Sequence, residues 1–228
     1  MNLCVIPARG GSKRIPRKNI KHFFGKPIIS YPIENAINSK CFDKIIVSTD
    51  DDEIKEIAQK YGAEVPFDRP KKLADDHTGI LEVVKHAINW YAKKQIHFKN
   101  VCCILPTTPL INKSIIVETY ELFKNSDYDY SCIVCEFPSS VQRALKSDEN
   151  NMVQMINSHN YKTRTQDLEK LYYDAGQLYW GKANSYLNLH PILLSKTYGY
   201  KISSLLAHDI DSKEDWDIVE SLFNLLRK

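Results

Sequence analysis

The strongest constraint on the fold is a repeated alternation between short, continuous apolar runs and longer amphipathic segments. Residues 3–8, Lys44–Ser48, 100–105 and 130–135 each read as a strand bounded by polar residues. Between them, residues 29–38, 52–61, 80–94 and 115–124 carry apolar side chains at helical spacing. Strands apolar throughout, rather than on alternate residues, are buried on both faces, as in a parallel sheet covered by helices. The expected fold is therefore α/β, with a mostly parallel sheet between two helical layers. A short extended piece is expected at 63–66, a further strand at 176–181, and a closing helix over Lys213–Leu226. Thr78 or Asp76 is the expected cap of the helix near residue 80.

From 136 to 174 the pattern weakens into a polar stretch rich in Asn, Ser, Gln and Tyr. It reads as an arm inserted in a single domain spanning 1–228, a length that suits one core. No run approaches the roughly 18 apolar residues that span a membrane, and the N-terminus has no signal-peptide pattern. A cytoplasmic location with free thiols is expected. Cys132 and Cys135 have a metal or redox spacing, but they lie within an apolar run and read as buried strand residues. His77, His86 and His97 show no ligand spacing.

Ligands of parallel α/β sheets bind beyond the carboxyl ends of the strands, so the loops there carry the chemistry. After the first strand comes Pro7-Ala-Arg-Gly-Gly-Ser-Lys-Arg-Ile-Pro-Arg-Lys-Asn-Ile20. Seven cations (Arg9, Lys13, Arg14, Arg17, Lys18, Lys21 and Lys26) lie between residues 9 and 26 with no acidic residue among them. Gly10 and Gly11 permit close backbone approach, successive amides can cradle phosphate oxygens, and Ser12 adds a hydroxyl. The cations Arg9, Lys13 and Lys18 should be exposed and face an anion. The loop is neither a Walker loop nor a dinucleotide fingerprint.

Near the C-terminus, Asp209 and Asp211 are two residues apart in an extended stretch, so their carboxylates project to one side. Such a pair suits Mg²⁺, which takes few protein oxygens and keeps several waters. The competing reading is that Asp211 or Ser212 only caps the final helix. A third set, Gln142-Arg143 and Tyr161-Lys-Thr-Arg-Thr-Gln-Asp-Leu168, offers Arg143 and Arg164 as bidentate carboxylate partners.

These strings resemble the CMP-sugar-acid synthetases, the cytidylyltransferases of sialic acids and related nonulosonic acids. The resemblance rests on Ile6-Pro-Ala-Arg-Gly-Gly-Ser-Lys13, Lys18-Asn-Ile20, Ile46-Val-Ser-Thr-Asp50, Arg69-Pro-x-x-Leu73, Pro106-Thr-Thr-Pro-Leu110 and Asp209-Ile-Asp211. Within that family, Val141-Gln-Arg-Ala-Leu145, Thr163-Arg-Thr-Gln-Asp-Leu-Glu169 and Tyr173-Asp-Ala-Gly-Gln-Leu-Tyr-Trp-Gly181 resemble the branch that uses pseudaminic acid. Leu105 stands where sialic acid members usually carry a glutamine.

The resemblance implies CTP and a nonulosonic acid as substrates, Mg²⁺ as cofactor, and a homodimer joined through the arm. It places Arg9, Gly10, Gly11, Ser12, Lys13 and Lys18 on the triphosphate, Asn19 and Arg69 on the cytidine, and Thr78 and Gly79 near the base. Asp209 and Asp211 would hold the metal and, with Lys18 and Arg9, form the catalytic set. Arg143 and Arg164 would take the sugar carboxylate, with Gln142, Gln166, Asp174 and Gln177 nearby. N-acetylneuraminic, legionaminic and ketodeoxyoctonic acids are the alternative substrates. A nucleic-acid-binding module or a catalytically silent nucleotide sensor is the alternative of another class. A net charge of +3 gives the nucleic-acid reading little support.

Overall fold

The computed structural model describes residues 1–227. Six strands form the main sheet: β1 (Asn2–Pro7), β2 (Lys44–Ser48), β3 (Asn100–Ile104), β4 (Tyr130–Glu136), β5 (Tyr172–Lys182) and β6 (Thr197–Ile202). Their order across the sheet is β6-β4-β5-β3-β1-β2. β1 is parallel to β2 and β3, and β4 to β6, while β5 runs antiparallel between β3 and β4. The mostly parallel α/β sheet expected from the apolar runs is present.

The helices are α1 (Ser30–Ser39), α2 (Asp52–Lys60), α3 (Ile80–Ala92), α4 (Lys113–Phe123), α5 (Ala183–Leu187) and α6 (Lys213–Leu226). In β1, Cys4 and Ile6 join the core formed with α1, α2 and α4, while Leu3 and Val5 join the core formed with α3 and α5. The period-2 projection of a strand thus feeds both helical layers. α6 closes a third cluster, in which Trp216 and Phe223 meet Phe23 edge to face.

The short extended piece at 63–66 is present as a single parallel bridge of Glu64 with Ile46. Several other local expectations are corrected. The N-cap of α3 is Gly79, without a side-chain cap; Asp75 instead accepts from the His77 and Thr78 amides at 3.0 and 2.7 Å. β5 begins four residues before the expected 176, and β6 is an additional edge strand. Cys132 and Cys135 are buried in different core clusters, on opposite faces of β4, so they cannot share a ligand. No helix among the described residues is long and apolar enough to cross a membrane.

Candidate active site

The loops after β1 and β3, which leave the carboxyl ends of parallel neighbours, meet the segment between α2 and α3 and the stretch that follows β6. They enclose one cleft, whose wall includes Arg9, Ser12, Lys13, Lys18, Asn19, Arg69, Thr78, Gly79, Asp209 and Asp211. Segments nearly two hundred residues apart in sequence are thus brought together.

The glycine loop is tied down by acidic residues at the start of α2. A Cβ at Gly10 would lie 2.6 Å from Asp51 Oδ2, so any larger residue there would force the Asp51 side chain to shift; no such restriction acts at Gly11. The Gly10 amide donates to Asp50 Oδ1 at 3.0 Å. Arg17, in the left-handed region at φ 54°, sends its guanidinium to both oxygens of Asp51 and to Glu53. Asp51 also caps α2, accepting from the Ile54 amide at 3.0 Å. Its pKa is held below the usual carboxylate range first by the Arg17 hydrogen bond and then by backbone amides, with burial opposing them. Arg17 therefore anchors the loop and is not a free cation of the cleft.

Asp51→Ala should destabilise the protein by about 2 kcal/mol, through a lost cap and lost charge-assisted bonds, whereas Asp51→Asn keeps the cap and should cost less. Because the folded pKa is depressed, this stabilisation is complete above the unfolded carboxylate pKa of about 3.9 and is lost as pH falls through the folded value. Urea unfolding of the two variants at neutral pH checks this. Equal stability of Asp51→Ala and the wild type would contradict it.

The cations facing the cleft have carboxylate partners. Arg9 lies 2.6 Å from Asp76, which also binds Lys13. Lys18 donates to the Ile210 carbonyl at 2.5 Å and lies 3.3 Å from Asp211 Oδ1, which Arg14 reaches at 2.7 Å. The Lys18 side chain is only 19% exposed, so the expectation of a fully exposed residue is corrected. Asn19 is buried, and its Nδ2 donates to the Arg9 carbonyl at 2.9 Å, which holds the loop closed. Arg69 is buried against Ser48, to which it donates from Nε at 3.1 Å, and burial lowers its pKa to about 10.

The capping alternative for the carboxylates is resolved by α6. Its cap is Ser212, in a reciprocal box with Asp215. Asp211 gives only its amide to that box, donating to Asp215 Oδ2 at 3.0 Å, and its carboxylate is left for the cations. Solvent reaches Asp209 across the open cleft, yet protein crowds its other side. That desolvation, and then the like charge of Asp211, push its pKa up, while Lys18 and Arg14 oppose the shift. The set is two carboxylates with no His or Cys; among the described residues no group of three or more His, Cys, Asp or Glu side chains could hold a metal. Such a set fits a hard cation that completes its shell with water and phosphate oxygens.

The sugar-side residues are not collected in this cleft. Arg143, Arg164 and Gln166 are exposed on the arm. Gln142 and Gln166 line a separate groove within it. Asp174 and Gln177 sit in β5 and not on the cleft wall, and Gln177 packs behind the stretch that carries Asp209. Asp76, Arg14 and Ile15 also line the cleft, although the sequence reading assigned none of them a site role. Arg14 lay within the recognised cation run, whereas Asp76 was expected only as a possible helix cap.

The family model for cytidylyltransferases matches residues 3–221. The chain belongs to the cytidylyltransferase family and is a nucleotidyltransferase. Among its relatives is a pseudaminic acid cytidylyltransferase of Campylobacter jejuni, 44% identical over 224 residues, which cover 98% of this chain and 97% of the relative. An N-acylneuraminate cytidylyltransferase of Streptococcus agalactiae is 32% identical over 94% of this chain and 51% of its own length. A solved CMP:2-keto-3-deoxy-manno-octonic acid synthetase complexed with CTP shares the fold at a TM-score of 0.74 and 14% identity, with 98% of each chain covered.

Proposed function

We propose that this chain transfers CMP from CTP to the anomeric hydroxyl of pseudaminic acid and releases pyrophosphate, with Mg²⁺ held by Asp209 and Asp211. The observation that carries this reading is the single cleft that joins a cation-bearing Gly-Gly loop to that carboxylate pair. The substrate is supported by 44% identity over nearly the whole length of a relative named for pseudaminic acid, against 32% for one named for N-acylneuraminate.

In this reading the triphosphate displaces Asp76 from Arg9 and Lys13, and those two side chains with Lys18 hold the phosphate oxygens. The sugar hydroxyl attacks the α-phosphorus and gives up its proton to solvent water, the bond to the β-phosphate bridging oxygen breaks, and pyrophosphate leaves with the electron pair. Positive side chains fixed in advance stabilise the charge that grows on the phosphate oxygens. Mg²⁺, when bound, supplies Lewis-acid charge neutralisation at those oxygens. Asn19 keeps the cation loop closed, and Arg69 presents a buried cation toward the nucleoside.

Arg143 and Arg164 would receive the sugar carboxylate. Both lie on the arm, away from the cleft of their own subunit. The arm also exposes Phe137, Leu145, Val153 and Ile156. These features support a homodimer in which the arm of one subunit completes the site of the other. A cytoplasmic location accords with a CTP-dependent reaction.

Leu105 lies on the cleft wall. Its apolar side chain offers no hydrogen bond to a glycerol hydroxyl and accepts the deoxygenated tail of pseudaminic acid. Apolar walls reject an added hydroxyl only weakly, by a factor of about 100. Turnover on pseudaminic acid should therefore exceed that on N-acetylneuraminic or legionaminic acid when all three are assayed side by side with CTP and Mg²⁺. A clear preference for N-acetylneuraminic acid would overturn the substrate and leave the reaction class standing.

A further inference from the structure

β5 is irregular where it passes the site. Against β4 the pairing runs Cys132 with Tyr179 and then Val134 with Asp174. One residue of β4, Ile133, therefore faces four of β5, Ala175, Gly176, Gln177 and Leu178. The other edge of β5 stays in register, with Ile104 opposite Leu178 and the Leu105 amide donating to the Gln177 carbonyl at 2.9 Å. Such bulges locally bend a strand and re-aim its side chains. Asp174 closes this one by accepting from the Gly176 amide at 3.0 Å and from the Tyr179 hydroxyl at 2.9 Å.

The bulge presents two features to the stretch that carries the carboxylates. Gln177 is 1% exposed, and its Nε2 donates to the carbonyls of Leu206 at 2.9 Å and His208 at 3.1 Å. Two acceptors around one nitrogen fix the amide orientation, since the flipped form would set oxygen against both carbonyls. Gly176 has φ +66°, and a Cβ there would lie 3.4 Å from Asp209 Oδ2. The Gln177 Oε1 is buried without a donor among the described residues. A buried, half-satisfied amide is a poor device for stability alone.

We propose that Gln177 is a positioning residue: with Gly176 it forms a seat in the β5 bulge that holds residues 206–208 and so aims the Asp209 carboxylate into the cleft. This rests on the reading that Asp209 and Asp211 hold the divalent cation. Groups behind metal-ligating side chains orient them, and losing one typically costs about 10- to 100-fold in metal affinity.

The test is Gln177→Met, which keeps the volume and removes the donor, compared with Gly176→Ala, which keeps the Gln177 amide but puts a Cβ at φ +66° and so strains the bulge on which the seat is built. Manganese binding to the full-length protein is followed by loss of the free aqua-ion paramagnetic resonance signal. The Mg²⁺ activation curve is recorded in parallel. Both variants should weaken manganese binding by about tenfold or more and raise the Mg²⁺ needed for half-maximal rate. At saturating Mg²⁺ their KM for CTP should stay near the wild-type value, a split that simple loss of fold would not give. Wild-type manganese affinity in either folded variant overturns the proposal. Asp209→Asn separates the two levels. If it binds manganese normally, the metal reading has failed and the proposal fails with it. If it loses manganese while Gln177→Met and Gly176→Ala keep it, only the positioning role has failed.

Discussion

Asp209→Asn and Asp211→Asn are each expected to lower CMP transfer by about a thousandfold or more, the loss of several kcal/mol of charge stabilisation at the phosphates. Their effects on stability should differ. Asp209 is partly desolvated and sits beside a like charge, so removing its charge should leave the melting temperature unchanged or raise it. Asp211 pairs with Arg14 and Lys18 near the surface, so its neutralisation should cost no more than about 1 kcal/mol. α6 should stay intact in both variants, because Ser212 and Asp215 cap it. Turnover and thermal unfolding of the same preparations decide the matter. Inactivation that only accompanies unfolding would leave the pair with a structural role and remove it from the chemistry.

Lys18→Ala should reduce kcat/KM for CTP by a factor of about ten to a thousand, corresponding to about 1.5–4 kcal/mol for a charge-assisted contact in a semi-enclosed site. Its ammonium lies between the Ile210 carbonyl and Asp211, where the cation loop meets the carboxylate pair. A small stability loss, about 1 kcal/mol, should accompany the change, because the side chain is largely enclosed. Arg9→Ala should act in the same direction. Wild-type turnover by Lys18→Ala at limiting CTP would remove Lys18 from the nucleotide site.

The parts of the fold legible in the sequence were those where physics leaves a periodic trace. β1, β2 and β3 are apolar on both faces, and α6 repeats Trp216, Val219 and Phe223 at helical spacing on its buried side. β6 left a weaker trace, because an edge strand of half-exposed residues needs no continuous apolar run. The early start of β5 was hidden by its bulge, where Asp174, Gly176 and Gln177 break the apolar pattern. The cation loop and the Asp209–Asp211 pair could be read from residue type and spacing. Asp76 could not, since a single carboxylate in a polar stretch gains its meaning only when folding brings it to Arg9. Gly10 likewise carries a requirement that shows only in three dimensions, the approach of Asp51. The destination of Arg143 and Arg164 depends on what the arm meets, and an arm without its own core sets no such contact within one chain.

The most direct test of the central claim follows the phosphorus of CTP. Purified protein is incubated with CTP, Mg²⁺ and pseudaminic acid, and the products are observed by phosphorus NMR. The account predicts that the α-phosphorus of CTP reappears as the phosphodiester of a CMP-sugar, with an equal amount of pyrophosphate and no reaction when the sugar acid is omitted. Unchanged CTP in the presence of pseudaminic, legionaminic, N-acetylneuraminic and ketodeoxyoctonic acids alike, from protein shown to be folded, would contradict it.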